Sequence, residues 1–251
     1  HKYGGSVLAS SINKYCYISC RHLPPFFNHK YRIAYSQIET TRSINEIKHP
    51  AVKGVFNYLN ISDGMEVQHH GDLPARSGLG SSSSFTAGLL HSLHALNGKM
   101  ISKYDLAMQT IDVEQNVIGE NVGSQDQVMA SIGGLNHINF SKDGSITVKP
   151  VVISNDKKEW FNDHLLMFFS GVSRNSQDIT AQKIQCIKSK ASDVIRLGSL
   201  VDQSLSIINS DVCISEFGKL LDEGWKIKRS ISRNISTNLV DNIYETAREN
   251  G

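Results

Sequence analysis

The residues of this chain that can do chemistry gather in three places. The first is the run Asp72-Leu73-Pro74-Ala75-Arg76-Ser77-Gly78-Leu79-Gly80-Ser81-Ser82-Ser83-Ser84-Phe85. Two glycines ahead of a serine run let the backbone take a left-handed turn and come close to a bound group. If a helix starts there, its first N–H groups are unpaired and partly positive, which suits a phosphate. The serine hydroxyls add donors, or one of them ligates Mg²⁺. No lysine follows the second glycine, so the loop is not a Walker A loop. Serines are also ordinary helix N-caps, and residue types alone leave both readings standing.

The second place is Glu114. Tyr104, Ala107, Ile111, Glu114 and Ile118 recur at helical spacing and share one face. A carboxylate inside an apolar stripe is costly to bury unless it is paired or bound to a metal. The alternative is a glutamate at the edge of the stripe that reaches solvent. The third place is Gly123-Ser124-Gln125-Asp126-Gln127. Asp126 is either a first-turn acid favoured by the helix dipole or a fixed carboxylate facing a substrate hydroxyl. Arg174, after the apolar run Leu165–Phe169, stands at a corner where bidentate bonding to a phosphate would be natural, although a surface arginine is the default. Lys30, Arg32 and the run Lys226, Lys228 and Arg229 are lesser cationic candidates. His91 and His94 lack a third ligand, and His69 and His70 alternate across a strand, so neither pair predicts a metal site.

The elements that must position these groups follow from periodicity. Residues 6–21 read as two strands or one bent one, and Tyr31–Tyr35 and Met65–His70 as further strands. Pro50 opens a helix to about Leu59. A helix from Ser81 ends near Leu96 at Asn97-Gly98, and Ser102 caps another that runs to about Ile118. Past the glycine loop 119–123, a short helix reaches Ile132. Leu135–Phe140 and Ile146–Val152 form a hairpin, Asn155–Glu159 is a polar junction, and Leu165–Ser170 is an apolar strand ahead of several helices. This predicts two domains, residues 1–155 and 156–251.

Lys plus Arg number 26 and Asp plus Glu 24 among 251 residues, a formal charge of +2, with 39% hydrophobic residues. That balance excludes global disorder and gives no case for nucleic acid or an anionic membrane as partner. Cys16, Cys20, Cys186 and Cys213 form no CxxC pair and read as reduced thiols of a cytoplasmic protein. No apolar run is long enough for a bilayer span, and none at the start reads as a signal peptide.

Pro74-Ala75-Arg76-Ser77-Gly78-Leu79-Gly80-Ser81-Ser82-Ser83 resembles the ATP-phosphate motif of the GHMP kinases, and Glu114 with Gly119, Gly123 and Gln125-Asp126-Gln127 is similar to their sugar-kinase branch. Tyr3–Leu8, Tyr31–Ser36, Glu46–Pro50, Gly133–Asn136, Phe169–Arg174 and Trp225–Arg229 extend the likeness, toward members acting on a phosphorylated manno-heptose, over nearly the whole chain. The resemblance implies an α+β fold of two domains, a ribosomal S5 domain 2-like N-terminal one and a ferredoxin-like C-terminal one, with ATP between them. It implies a kinase using ATP and Mg²⁺ that phosphorylates the anomeric hydroxyl of D-glycero-D-manno-heptose 7-phosphate for nucleotide-activated heptose synthesis; fucose or another hexose is the alternative acceptor, and a non-catalytic binding protein on the same fold a further one. Gly78, Leu79, Gly80, Ser81, Ser82 and Ser83 become the phosphate cradle, Ser82 and Glu114 the magnesium ligands, Asp126 the catalytic acid, and Gln125 and Arg174 acceptor contacts. The implied partners are small molecules, to a monomer or homodimer. The family's Gly-Gly-Gly-Thr-Asp-type motif ahead of Tyr3 and its Gly-rich motif after Gly251 are absent from the sequence, and the expectation is that both ends are missing pieces.

Overall fold

A computed structural model describes residues 4–75, 77–171, 190–210, 212–232 and 235–250. They form an α+β structure with two separate sheets. The chain divides into two compact units. One is Ser11–Gly134; the other takes residues 4–10 together with 135–171 and the helices that follow. The expected break at residue 155 therefore differs from this division, which groups the first strand and the hairpin with the C-terminal helices. The physical reason is pairing: β1 (Gly5–Ser10) is hydrogen-bonded to β6 (Leu135–Phe140), far away in sequence.

The Ser11–Gly134 unit is built on a four-stranded sheet in the order β2 (Cys16–His22), β5 (Met65–Gly71), β3 (Tyr31–Ala34), β4 (Ile38–Thr41). β3 and β5 run parallel, joined across α1 (Pro50–Tyr58). Alternation sends Tyr31, Ile33, Met65 and Val67 into the core. On the other face, Glu66 is held between Arg21 and Arg32, one from each neighbouring strand. Over the core lie α1, α2 (Ser81–Leu96), α3 (Lys103–Asp112) and α4 (Gln125–Ile132). Phe85, Leu89 and Leu93 repeat every four residues on α2 and are buried with Val52, Val55 and Phe56 of α1. Each such side chain contributes roughly 1.5–3 kcal/mol on burial. That anchoring fixes where the N-terminus of α2 sits.

The predicted helix 102–118 departs from expectation in its last third. α3 ends at Asp112 and the chain continues as one π turn, Val113–Val117, closed by Ile118 N–H to the Val113 carbonyl at 2.8 Å. The buried line is Leu106, Ala107, Thr110, Val113 and Glu114; Tyr104, expected on it, is exposed. Close packing of α1 on this turn needs Gly54, where a Cβ would lie 2.7 Å from the Ile118 Cγ1.

In the second unit β1, β6 and β7 (Ile146–Pro150) make an antiparallel sheet. The expected hairpin is present. The expected polar junction at 155–159 is instead the start of α5 (Asn155–Asp163), whose N-cap Ser154 accepts from Lys157 N–H. Leu165–Ser170 is not a strand, and Leu166 and Phe168 are largely exposed. Among the described residues three helices follow, α6 (Ala191–Ile208), α7 (Ile214–Ile231) and α8 (Asn238–Glu249). Ion pairs tie them, Arg196 to Glu223, Arg229 to Asp241 and Arg248 to Asp222, while Lys226 pairs with Asp222 within α7. No helix among the described residues is long and apolar enough to cross a membrane.

Candidate active site

Strand β5 delivers the chain into the loop 72–80, which Asp72 fastens to Tyr15 by paired bonds, its carboxylate accepting from Tyr15 N–H at 2.8 Å and its own N–H donating to the Tyr15 carbonyl at 3.0 Å. Gly80 caps α2 with φ +71°, a left-handed conformation that favours glycine. Gly80 brings no side chain to cap this end, which leaves the first N–H groups of α2 available to a ligand. Of the expected cradle, Gly78, Leu79 and Ser82 are exposed, Gly80 and Ser81 half-buried, and Ser83 buried.

Asp126 meets this turn. A Cβ placed on Gly80 would lie 3.4 Å from the Asp126 Cβ and Cγ and 3.5 Å from its Oδ2. The sequence separates these residues widely; α4 brings them together because it is tied at both ends. The Gln115 amide, on the π turn, donates to the Val122 carbonyl at 3.1 Å and to the Ser124 hydroxyl at 3.2 Å, fixing the glycine loop. Lys103 Nζ donates to the Ile132 carbonyl at the other end. The Asp126 residue is exposed overall, yet burial of its carboxyl raises the pKa. The two facts are compatible, because one side of the carboxyl lies against the Gly80 turn and the other faces solvent.

Glu114 is buried, 1% exposed, which decides between the two readings of its stripe position. Desolvation pushes its carboxyl pKa up; hydrogen-bonding groups of Ser83, Thr86 and Gln127 pull the other way. The Ser83 hydroxyl donates to Oε2 at 2.9 Å and the Gln127 amide to the same oxygen at 2.5 Å. Thr86 spends its proton on the Ser82 carbonyl. Glu114 Oε1 is buried and accepts no hydrogen bond from the described residues. The hydroxyl that reaches this carboxylate is thus Ser83, whereas the sequence pairs Ser82 with it; Ser82 lies one residue, or about 100°, round the helix and faces outward. A bare, buried carboxylate oxygen beside a serine hydroxyl fits a hard divalent cation, which takes oxygen ligands and completes its shell with phosphate and water. No cluster of three or more His, Cys, Asp or Glu exists among the described residues, so such an ion would depend on the nucleotide for its remaining ligands.

Residues 45–134, which hold the serine turn, Glu114 and Asp126, match the model of the GHMP kinases N terminal domain. That stretch of the chain is a GHMP kinases N terminal domain by this match. The chain is 25% identical over its whole length to D-glycero-alpha-D-manno-heptose 7-phosphate kinase of Campylobacter jejuni, covering 77% of that protein. It is 22% identical, over 74% of its length, to L-fucokinase/L-fucose-1-P guanylyltransferase of Bacteroides fragilis, of which it spans 20%. Its fold superposes on the crystal structure of a D-glycero-D-manno-heptose 1-phosphate kinase from Bacteroides thetaiotaomicron with a TM-score of 0.69 at 21% identity, over 90% of this chain and 71% of that one. The mixed α+β fold of the chain is that of the superposed kinase.

The remaining expected residues are scattered. Gln125 is exposed in the first turn of α4. Arg174 lies outside the described residues, as do Arg76 and Cys186. Among the lesser cations, Arg32 is engaged by Glu66, Lys226 by Asp222 and Arg229 by Asp241. His94 bonds Gln109 at 2.8 Å. Cys16 and Cys20 are half-buried free thiols whose pKa values burial pushes up to about 11 and about 12, so they are protonated and unreactive at neutral pH. Sequence reasoning missed two contacts of the candidate site, Ser83 as the partner of Glu114 and Gln127 as its second donor. A signal existed for Gln127: with Val128 and Ser131 it lies on the inner face of α4, where a long polar side chain must find a partner.

Proposed function

We propose that this cytoplasmic kinase transfers the γ-phosphoryl group of ATP to the anomeric hydroxyl of D-glycero-D-manno-heptose 7-phosphate, giving the 1,7-bisphosphate. The observation that carries the chemistry is the Asp126 carboxyl set against the Gly80 turn, within reach of whatever the α2 N-terminus binds. The full-length match to the Campylobacter jejuni enzyme supports the acceptor.

In this reading Gly78, Gly80 and the free N–H groups of α2 receive the ATP phosphates, with Ser81 and Ser82 adding hydroxyls from the same turn. Ser83 and Glu114 would hold Mg²⁺, which when bound offsets charge on the β- and γ-phosphates. Asp126 orients the attacking hydroxyl and accepts its proton, and its raised pKa brings a carboxylate nearer to matching that task. Gln125, exposed beside it, contacts the acceptor. Arg174 grips the 7-phosphate, away from the reacting hydroxyl. The fucokinase relatives favour a second reading, in which the acceptor is a free 6-deoxyhexose or another hexose.

The test is kcat/KM of the full chain on heptose 7-phosphate, free heptose and L-fucose, in wild type and in Arg174→Met. Removing a charge-assisted phosphate contact costs roughly 10–150-fold. That loss is expected on the 7-phosphate alone. A wild-type preference for either free sugar overturns the heptose 7-phosphate acceptor, and an equal loss on all acceptors removes Arg174 from the phosphate site.

A further inference from the structure

We infer that Gln127 is a positioning residue that sets which oxygen of Glu114 faces the metal site; this rests on the reading of Glu114 as a magnesium ligand. Gln127 is 1% exposed, and its amide points at the carboxylate rather than at backbone. An ionised carboxylate only accepts, so the amide must present nitrogen to it. Gln127 from α4 and Ser83 from α2 both donate to Oε2, and neither donates to Oε1. Held by two helices through one oxygen, the carboxylate cannot rotate freely about its last torsion, and the bare oxygen keeps one direction. The Gln127 Oε1 is itself a buried acceptor with no donor among the described residues, where this amide is engaged through its nitrogen. Its covalent neighbour is Asp126. The first turn of α4 therefore places the acid against the Gly80 turn and, one residue on, orients the carboxylate of the π turn. A sliding or rotation of α4 would disturb both groups together.

The test is a Mn²⁺ titration of the full chain with a non-hydrolysable ATP analogue, reading free Mn²⁺ by electron paramagnetic resonance. Analogue binding in excess chelator and the melting temperature are measured alongside. Gln127→Met keeps length and volume but removes the donor, and is expected to weaken Mn²⁺ binding about 10–100-fold, the usual cost of losing a partner that orients a metal ligand. Metal-free binding of the analogue should be unchanged. Gln127→Asn retains the amide but withdraws it by one methylene; a smaller loss in the same direction is expected, and this variant decides the matter if the Met variant does not fold. Wild-type Mn²⁺ affinity in these variants, with or without a lower melting temperature, overturns the inference. Glu114→Gln separates the two levels: if it alone loses Mn²⁺, the positioning role falls and the metal assignment stands; if it too binds Mn²⁺ normally, both fall.

Discussion

Replacing Gly80 by alanine tests the placement of Asp126 directly, with Gly78→Ala as its control. Both glycines are left-handed, at φ +71° and +79°. An L-residue forced into that region costs about 1–2 kcal/mol, so the two variants should lose similar stability. For a chain of this length that is a fall of roughly 2–8 °C in melting temperature. They differ in what the new methyl meets. At Gly78 nothing lies within 4 Å; at Gly80 the Asp126 Cβ and Cγ lie at 3.4 Å. A methyl at that distance touches without a hard clash, and pins or tilts the carboxyl by a few tenths of an ångström. A misplacement of 1 Å in such a site costs on the order of 10²-fold, so a smaller shift should cost about 10-fold in kcat. The assay is steady-state phosphoryl transfer below the melting transition, with thermal melts on the same samples. Equal kcat in the two variants, at matched stability loss, would refute the argument that Asp126 acts from against the Gly80 turn.

Other expectations follow from the buried carboxylates. Burial raises the Glu114 and Asp126 pKa values, so the metal-free fold holds more protons than the unfolded chain between the ordinary carboxylate value and the raised one. Their contribution is most favourable below the ordinary value and declines as pH rises through that window. Glu114→Gln should flatten this decline, giving a higher melting temperature relative to wild type at pH 8 than at pH 4; an unchanged pH slope would count against burial of the charge. The same variant should lose on the order of 10²-fold or more in turnover at saturating Mg²⁺, and unchanged turnover would sink the metal-facing role. Asp126→Asn should reduce turnover roughly 10²–10⁴-fold while leaving ATP binding intact, as equilibrium dialysis can check; weakened nucleotide binding with intact turnover would place the residue on the wrong side of the site. Ser83→Ala should raise the apparent Mg²⁺ requirement more than Ser82→Ala, because only the Ser83 hydroxyl bonds Glu114; the reverse order would restore Ser82 as the metal-facing hydroxyl.

Local chemistry made much of this protein legible from its residues. The start and end of α2 followed from a glycine-serine turn and Asn97-Gly98, and α1 from Pro50, because caps and fixed φ act within a few residues. The strands β3 and β5, the hairpin and the three chemistry-bearing stretches are local in the same sense. Three things needed the folded chain. Glu114 sits on a π turn, whose extra residue helical periodicity cannot register, and its burial is decided by the elements packed over it. The choice of Ser83 over Ser82 depends on how α2 is rotated by Phe85, Leu89 and Leu93 against a core supplied by other elements. The meeting of Asp126 with Gly80, and of Gln127 with Glu114, depends on a short helix held by Gln115 and Lys103. Pairing is non-local too. β1 joins the late hairpin rather than its sequence neighbour, because a strand forms where another edge accepts its hydrogen bonds, and Leu165–Ser170, apolar enough for a strand, forms none among the described residues.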